Sequence, residues 1–129
     1  MGYYMNNRAV EGFIIKEENI EKAVKALNDL GKSNIKLSWV DSCELARSKN
    51  IVDLMNECRW SGFINDDEDF ELEYFTGEKY GSDETIFTFL APYVEDGAFI
   101  EMQGEEGELW RWVFTDGTCK EKVPKIIWE

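Results

Sequence analysis

The sequence predicts an α+β domain, built mainly on antiparallel sheet, with a C-terminal three-strand meander and helices on one face. Three observations carry that expectation. Apolar residues recur at helical spacing at Ile20, Ala23, Val24, Leu27 and Leu30. In the last third they alternate instead, at Ala98, Ile100 and Met102 and again at Trp110, Trp112 and Phe114. Asp116-Gly117 stands between two extended runs, where a tight hairpin needs positive φ. The 129 residues fit one domain, and no Pro/Gly/Ser-rich linker divides them, so 1–129 reads as a single unit.

Val10–Ile15 is rich in β-branched and aromatic residues and reads as the first strand. From Glu17 the period changes to that of a helix, with Glu17 and Glu18 in the dipole-favoured first turn and Gly31 as its stop. Ile35, Leu37 and Trp39 alternate with Lys36 and Ser38, which predicts a short half-buried strand. Asp41 or Ser42 can cap a second helical region holding Leu45, Ala46, Val52, Met55 and Cys58, with Asn50 as a point of division. Phe63-Ile64 predicts a short strand, Asp66–Asp69 a polar turn, and Phe70, Leu72 and Tyr74 a strand with Glu71 and Glu73 on its wet face. After the loop Thr76–Gly81, Ser82 caps a helix containing Ile86, Phe87, Phe89 and Leu90, ended near Pro92.

Ala98–Gln103, Leu109–Phe114 and Cys119–Ile127 complete the predicted order β-α-β-α-β-β-α-β-β-β. Register follows from burial. A five-residue loop over 104–108 pairs Glu101 with Arg111, Ile100 with Trp112 and Met102 with Trp110. That choice gathers the apolar side chains on one face, whereas a slip by one residue reverses the face.

The formal net charge is −13, from 14 Lys+Arg against 27 Asp+Glu, with no His. Residues 1–65 are balanced, so the whole excess lies in 66–129. Such asymmetry suggests an interaction surface, the plainer reading being solubility. A nucleic-acid binder that neutralises phosphates is disfavoured, since no basic footprint exists. Lack of His removes the usual proton shuttle and the commonest metal ligand. It also leaves Ser and Cys nucleophiles without their usual base.

Cys43, Cys58 and Cys119 form no CxxC and are odd in number, which favours a reducing, cytoplasmic setting over a disulfide framework or a zinc site. The N-terminal stretch Met1–Arg8 lacks the apolar run of a signal peptide, Asn6 breaks the myristoylation pattern, and no segment reaches membrane-spanning length. Asp67, Asp69, Glu71 and Glu78 fall near calcium-loop spacing, but Leu72 stands where that loop needs Gly. Gly104-Glu105-Glu106-Gly107 carries acids where a phosphate would sit. Trp110-Arg111-Trp112 resembles a base-stacking platform, yet the register places both indoles in the core and Arg111 opposite Glu101. No metal and no cofactor are expected.

The acids remain. Asp66, Asp67, Glu68, Asp69, Glu71 and Glu73 occupy one turn and one strand face, with Glu101, Glu105 and Glu106 as secondary positions. A convergent carboxylate field would steer association with a basic protein. Two partner classes suit it: a nucleic-acid-processing enzyme whose groove accepts carboxylates in place of phosphates, and a basic toxin held by its immunity or antitoxin protein. A carboxylate-based enzyme is the third reading, requiring acids in one concave pocket with a raised pKa. Direct nucleic-acid or membrane binding is not expected.

The segment Pro92–Met102, continuing into Gly104–Gly107 and Trp110–Phe114, resembles small proteins of unassigned function in bacteria and their mobile elements, over about a quarter of the chain. The small size and acidity are similar in character to phage-encoded anti-CRISPR and antirestriction proteins. That resemblance implies a non-enzymatic inhibitor, acting on a CRISPR effector or a similar enzyme as an acidic DNA mimic. It assigns no role to a particular residue.

Overall fold

The computed structural model describes residues 3–129. Met1 and Gly2, which open the stretch read for targeting signals, lie outside the described residues. Seven strands run as β1 (Met5–Glu11), β2 (Ile14–Ile15), β3 (Trp60–Ile64), β4 (Phe70–Phe75), β5 (Phe99–Gly104), β6 (Leu109–Thr115) and β7 (Thr118–Lys122). Helices are α1 (Glu17–Lys32), α2 (Ser42–Arg47), α3 (Ile51–Glu57) and α4 (Asp83–Leu90), the last continued by a 3₁₀ turn at Ala91–Tyr93. They form two antiparallel sheets, β1-β5-β6-β7 and β2-β4-β3. The α+β reading therefore stands, with its strands divided between two sheets.

The division begins at Gly12. Its φ of 66° breaks the predicted Val10–Ile15 strand into β1 and β2, which join different sheets. Gly adopts that left-handed conformation without a Cβ penalty. Phe13 then turns inward at 2% exposure, its ring 5.1 Å from Phe114 and 5.8 Å from Phe87.

The stripe on α1 is buried as its spacing requires, at Ala23, Val24, Leu27 and Leu30. Gly31 does not stop the helix, which runs on to Lys32 with Ser33 at its C-cap. A Cβ at Gly31 would lie 2.6 Å from the Ala46 nitrogen and 2.7 Å from the Ser42 oxygen, so the glycine lets α2 approach. Asn28, also buried, donates to the Leu45 and Ser48 carbonyls at 2.9 Å each and fixes the C-terminal end of α2.

The predicted strand at Ile35–Trp39 is absent; the segment is loop, with Ile35 and Trp39 exposed. Alternation needs a neighbouring strand to give it meaning, and the Ser38 N–H donates instead to Ser82 Oγ at 2.8 Å. That contact also engages the hydroxyl expected to cap α4, which has no side-chain cap. The second helical region divides where Asn50 predicted. Asp41 Oδ1 accepts from the Cys43 and Glu44 N–H groups, and Asn50 Oδ1 accepts from those of Val52 and Asp53.

In the meander, Ile100 pairs with Trp112, Glu101 with Arg111, Met102 with Trp110 and Gln103 with Leu109, the register that burial required. Asp116 and Gly117 both have positive φ, 51° and 73°, as a two-residue hairpin turn demands. β7 ends at Lys122 rather than Ile127; Pro124 lacks the N–H to extend a ladder, and 123–129 are exposed. Trp60, Trp112, Phe13, Phe70, Phe87 and Phe114 are fully enclosed at the centre of the core. Trp110 and Trp112 thus belong to packing, not to a stacking platform. Among the described residues no helix is long and apolar enough to cross a membrane.

Candidate interaction surface

The acidic turn between β3 and β4 is wired by Asn65. Its Oδ1 accepts from the Asp67 and Asp69 N–H groups at 2.9 and 3.0 Å, and its amide donates to Glu71 at 2.8 Å. A side-chain acceptor that closes its own turn is the usual role of Asn in loops. Glu68 takes φ 67°, and Asp66, Asp67 and Glu68 are left exposed.

Asp69 is a correction to the predicted set. It is 6% exposed and turns inward, accepting from the Glu17 N–H at 2.8 Å and from Lys16 Nζ at 3.4 Å. Lys16, the N-cap residue of α1, offers no side-chain cap of its own. A carboxylate from a distant turn satisfies that helix start instead. Asp67 and Glu95 lie near the same lysine and, after Asp69, help hold its pKa up. The turn at 65–69, the start of α1 and the turn at Glu95 thus form one acidic end of the molecule.

The outer face of β2-β4-β3 continues from this end. Glu71 lies opposite both Ile14 and Phe63, and Tyr74 lies opposite Ser61. The register shifts between Ser61 and Gly62, so Glu73 is the extra residue of a bulge. Glu73 accepts from Ser61 Oγ at 3.2 Å. Phe63 at 41% and Tyr74 at 53% exposure stand among these acids. Among the described residues, none of these outward side chains is basic.

The secondary positions do not join that face. Glu101 lies on the outer face of the four-stranded sheet, bonded to Arg111 Nε at 2.8 Å and Arg8 Nε at 3.0 Å. Arg111 first and Arg8 second hold its carboxyl below the usual range, and two cations on one acid leave no negative patch there. Arg8 sits at a β1 bulge, which Asn7 fills by donating to the Ala9 and Glu101 carbonyls. Glu105 and Glu106 sit in the β5–β6 turn, where Glu105 accepts from the Tyr4 N–H at 2.9 Å. Since β5 runs from Phe99 to Gly104, this turn and the Glu95 turn lie at opposite ends of a strand roughly 17 Å long.

One acid has its carboxyl pushed up by burial: Asp83, at 0% exposure. It accepts from Trp60 Nε1 at 2.9 Å, Arg59 at 3.1 Å and the Gly81 N–H at 3.2 Å. Arg59 also donates to the Lys79 carbonyl and stacks 5.1 Å from the Phe75 ring. The group locks the loop before α4 onto β3 and keeps the carboxyl enclosed. Burial pushes the Cys119 thiol up to about 12. Among the described residues no group of three or more His, Cys, Asp or Glu is placed to hold a metal ion.

Sequence reasoning missed Asn65, Asn28, Asn7 and Asp83, because each acts through a partner that no short pattern announces. In the comparisons with known proteins, no family model, curated protein or solved structure matches this chain.

Proposed function

We propose that the chain is a non-enzymatic binding protein that inhibits a basic, nucleic-acid-processing protein through the acidic end and the outer face of β2-β4-β3. The observation that carries this reading is the mixture on that face: Phe63 and Tyr74 are exposed on the strand pair that carries Glu71 and Glu73, with the exposed Asp66, Asp67 and Glu68 in the turn at one end of it. Carboxylates supply steering toward a basic groove, and exposed aromatics supply the desolvated anchors on which protein interfaces depend. The mixture also favours a compact patch over a continuous phosphate mimic, because Glu101 is neutralised by two arginines.

The test is affinity capture at about 50 mM salt, with elution by high salt and identification of the bound protein. One basic nucleic-acid-processing protein is expected, and its activity should fall when the chain is added. Asp66→Lys, Asp67→Lys and Glu73→Lys together should weaken binding by about tenfold or more. Phe63→Ser with Tyr74→Ser should weaken it comparably. Unchanged binding by both variants would overturn the reading. Asp69 is left intact because its loss attacks the fold.

A further inference from the structure

A notch of about 360 Å³ opens where the β5–β6 turn, the start of β6, the end of β7 and the loop before α4 meet. Tyr3, Tyr80 and Trp110 line it, together with Glu108 and Glu121 and aliphatic side chains. That volume lies within the range of small-molecule sites. The half-buried Tyr80 ring packs against the buried Trp110 indole, with centroids 5.9 Å apart and planes inclined at 59°. Tyr3 donates its hydroxyl to Glu108 and holds that carboxylate in place. Glu121 lies opposite Trp112 across the β6–β7 ladder, so it shares the sheet face of the indoles.

The chemistry of this lining selects one kind of guest. Aromatic faces and carboxylates both attract positive charge, and an aliphatic wall tolerates alkyl groups. Elsewhere the molecule already seats its own cations on rings. Arg111 lies 4.0 Å from Phe99, Lys79 5.0 Å from Tyr4 and Arg59 5.1 Å from Phe75. At the notch, among the described residues, no Lys or Arg lines the wall. Burial first, then the charges of Glu84, Glu121 and Asp83, push the Tyr80 phenol up, which places the ring in a negative field.

We propose that this notch binds an organic cation, an alkylammonium or guanidinium group. The half-buried Tyr80 ring supplies the aromatic wall with Trp110 packed against it, and Glu121 and Glu108 supply the opposite charge. The site lies at the far end of β5 from the acidic turn, and the proposal does not depend on that turn binding a protein. The cation can be a free small molecule or a Lys or Arg side chain, and the probes separate the two.

The test is an NMR titration of the full chain, following the Trp110 indole N–H and the Tyr80 ring. The probes are tetramethylammonium chloride, Nα-acetyl-lysinamide and Nα-acetyl-argininamide, with sodium chloride at matched ionic strength. Saturable shifts at both residues are expected for at least one organic cation, with a Kd on the order of 1 mM for so small a ligand. Preference for tetramethylammonium assigns a free cation; preference for an amino-acid amide assigns a side chain. Glu121→Gln should weaken binding about threefold or more, and Tyr80→Phe should retain it. Tyr80→Leu, checked for native folding by circular dichroism, should lose it. Shifts that do not saturate, equal shifts with sodium chloride, or full binding by folded Tyr80→Leu would each overturn the proposal. None of these results bears on capture of a basic protein by the opposite end.

Discussion

Asp66 and Asp69 sit three positions apart in one turn and carry the same charge, yet only one of them holds the fold together. Asp69 is buried against the start of α1, where it accepts the Glu17 N–H and pairs with Lys16. Asp69→Ala strips that helix start of its acceptor and should cost about 2 kcal/mol. Asp66→Ala, at an exposed position, should change stability by no more than about 0.5 kcal/mol. Urea unfolding of both variants checks the contrast, and equal effects would defeat it. A run of four acids is legible in sequence, but a partner 52 residues away is not. Glu101 shows the legible case: alternation placed it opposite Arg111, and the ladder does so. Its pKa is lowered in the folded state by Arg111 and then Arg8. The stability it contributes is therefore present above the unfolded carboxylate value, about 4.3, and is lost as pH falls through the folded value. The urea-midpoint gap between the wild type and Glu101→Gln should be widest near neutral pH and narrow as the pH falls below the unfolded carboxylate value. A gap that widens on acidification would contradict the assignment.

At the scale of elements, the meander was readable because one face had to be buried, and a slip of one residue would have turned Trp110 and Trp112 to solvent. The same alternation at Ile35, Leu37 and Trp39 misled, because no strand lies beside it and Ile35 and Trp39 stay exposed. Gly31 misled for a different reason. Glycine near the end of a helical stripe reads as a stop, but here it sits inside α1, where the α2 backbone passes. Local propensity and packing make opposite predictions for Gly31→Ala. Propensity alone favours alanine by about 1 kcal/mol in a helix interior. A Cβ only 2.6 Å from one backbone atom of α2 and 2.7 Å from another forces that helix away, and such overpacking costs about 1 to 3 kcal/mol. Since backbone cannot rotate aside as a side chain can, packing should win. The variant should unfold at a lower temperature while keeping its far-ultraviolet helix signal. A rise in melting temperature would show that α2 moves freely and that the close approach is incidental.

For the whole molecule, the charge has a cost that can be separated from its use. Among the described residues six of the 14 basic side chains take part in ion pairs, against 27 acids in the chain, so repulsion outweighs pairing. A compact state feels self-repulsion more than an expanded one, and salt screens it. The melting temperature should therefore rise between about 10 mM and about 300 mM sodium chloride. Reversing Asp66, Asp67 and Glu68 to Lys moves the formal net charge from −13 to about −7 without touching Asp69 or the core. At low salt that variant should melt higher than the wild type and depend less on salt. If the acidic end contacts a basic partner, the same variant should bind more weakly, so stability and binding move in opposite directions. If the acids serve solvation alone, stability rises and nothing is lost in binding. One variant, measured by calorimetry and by capture at low salt, thus distinguishes a surface shaped for a partner from one that merely keeps the chain apart from its neighbours. Selection for stability alone has no reason to gather three exposed acids in one turn, since spreading them would lower the repulsion.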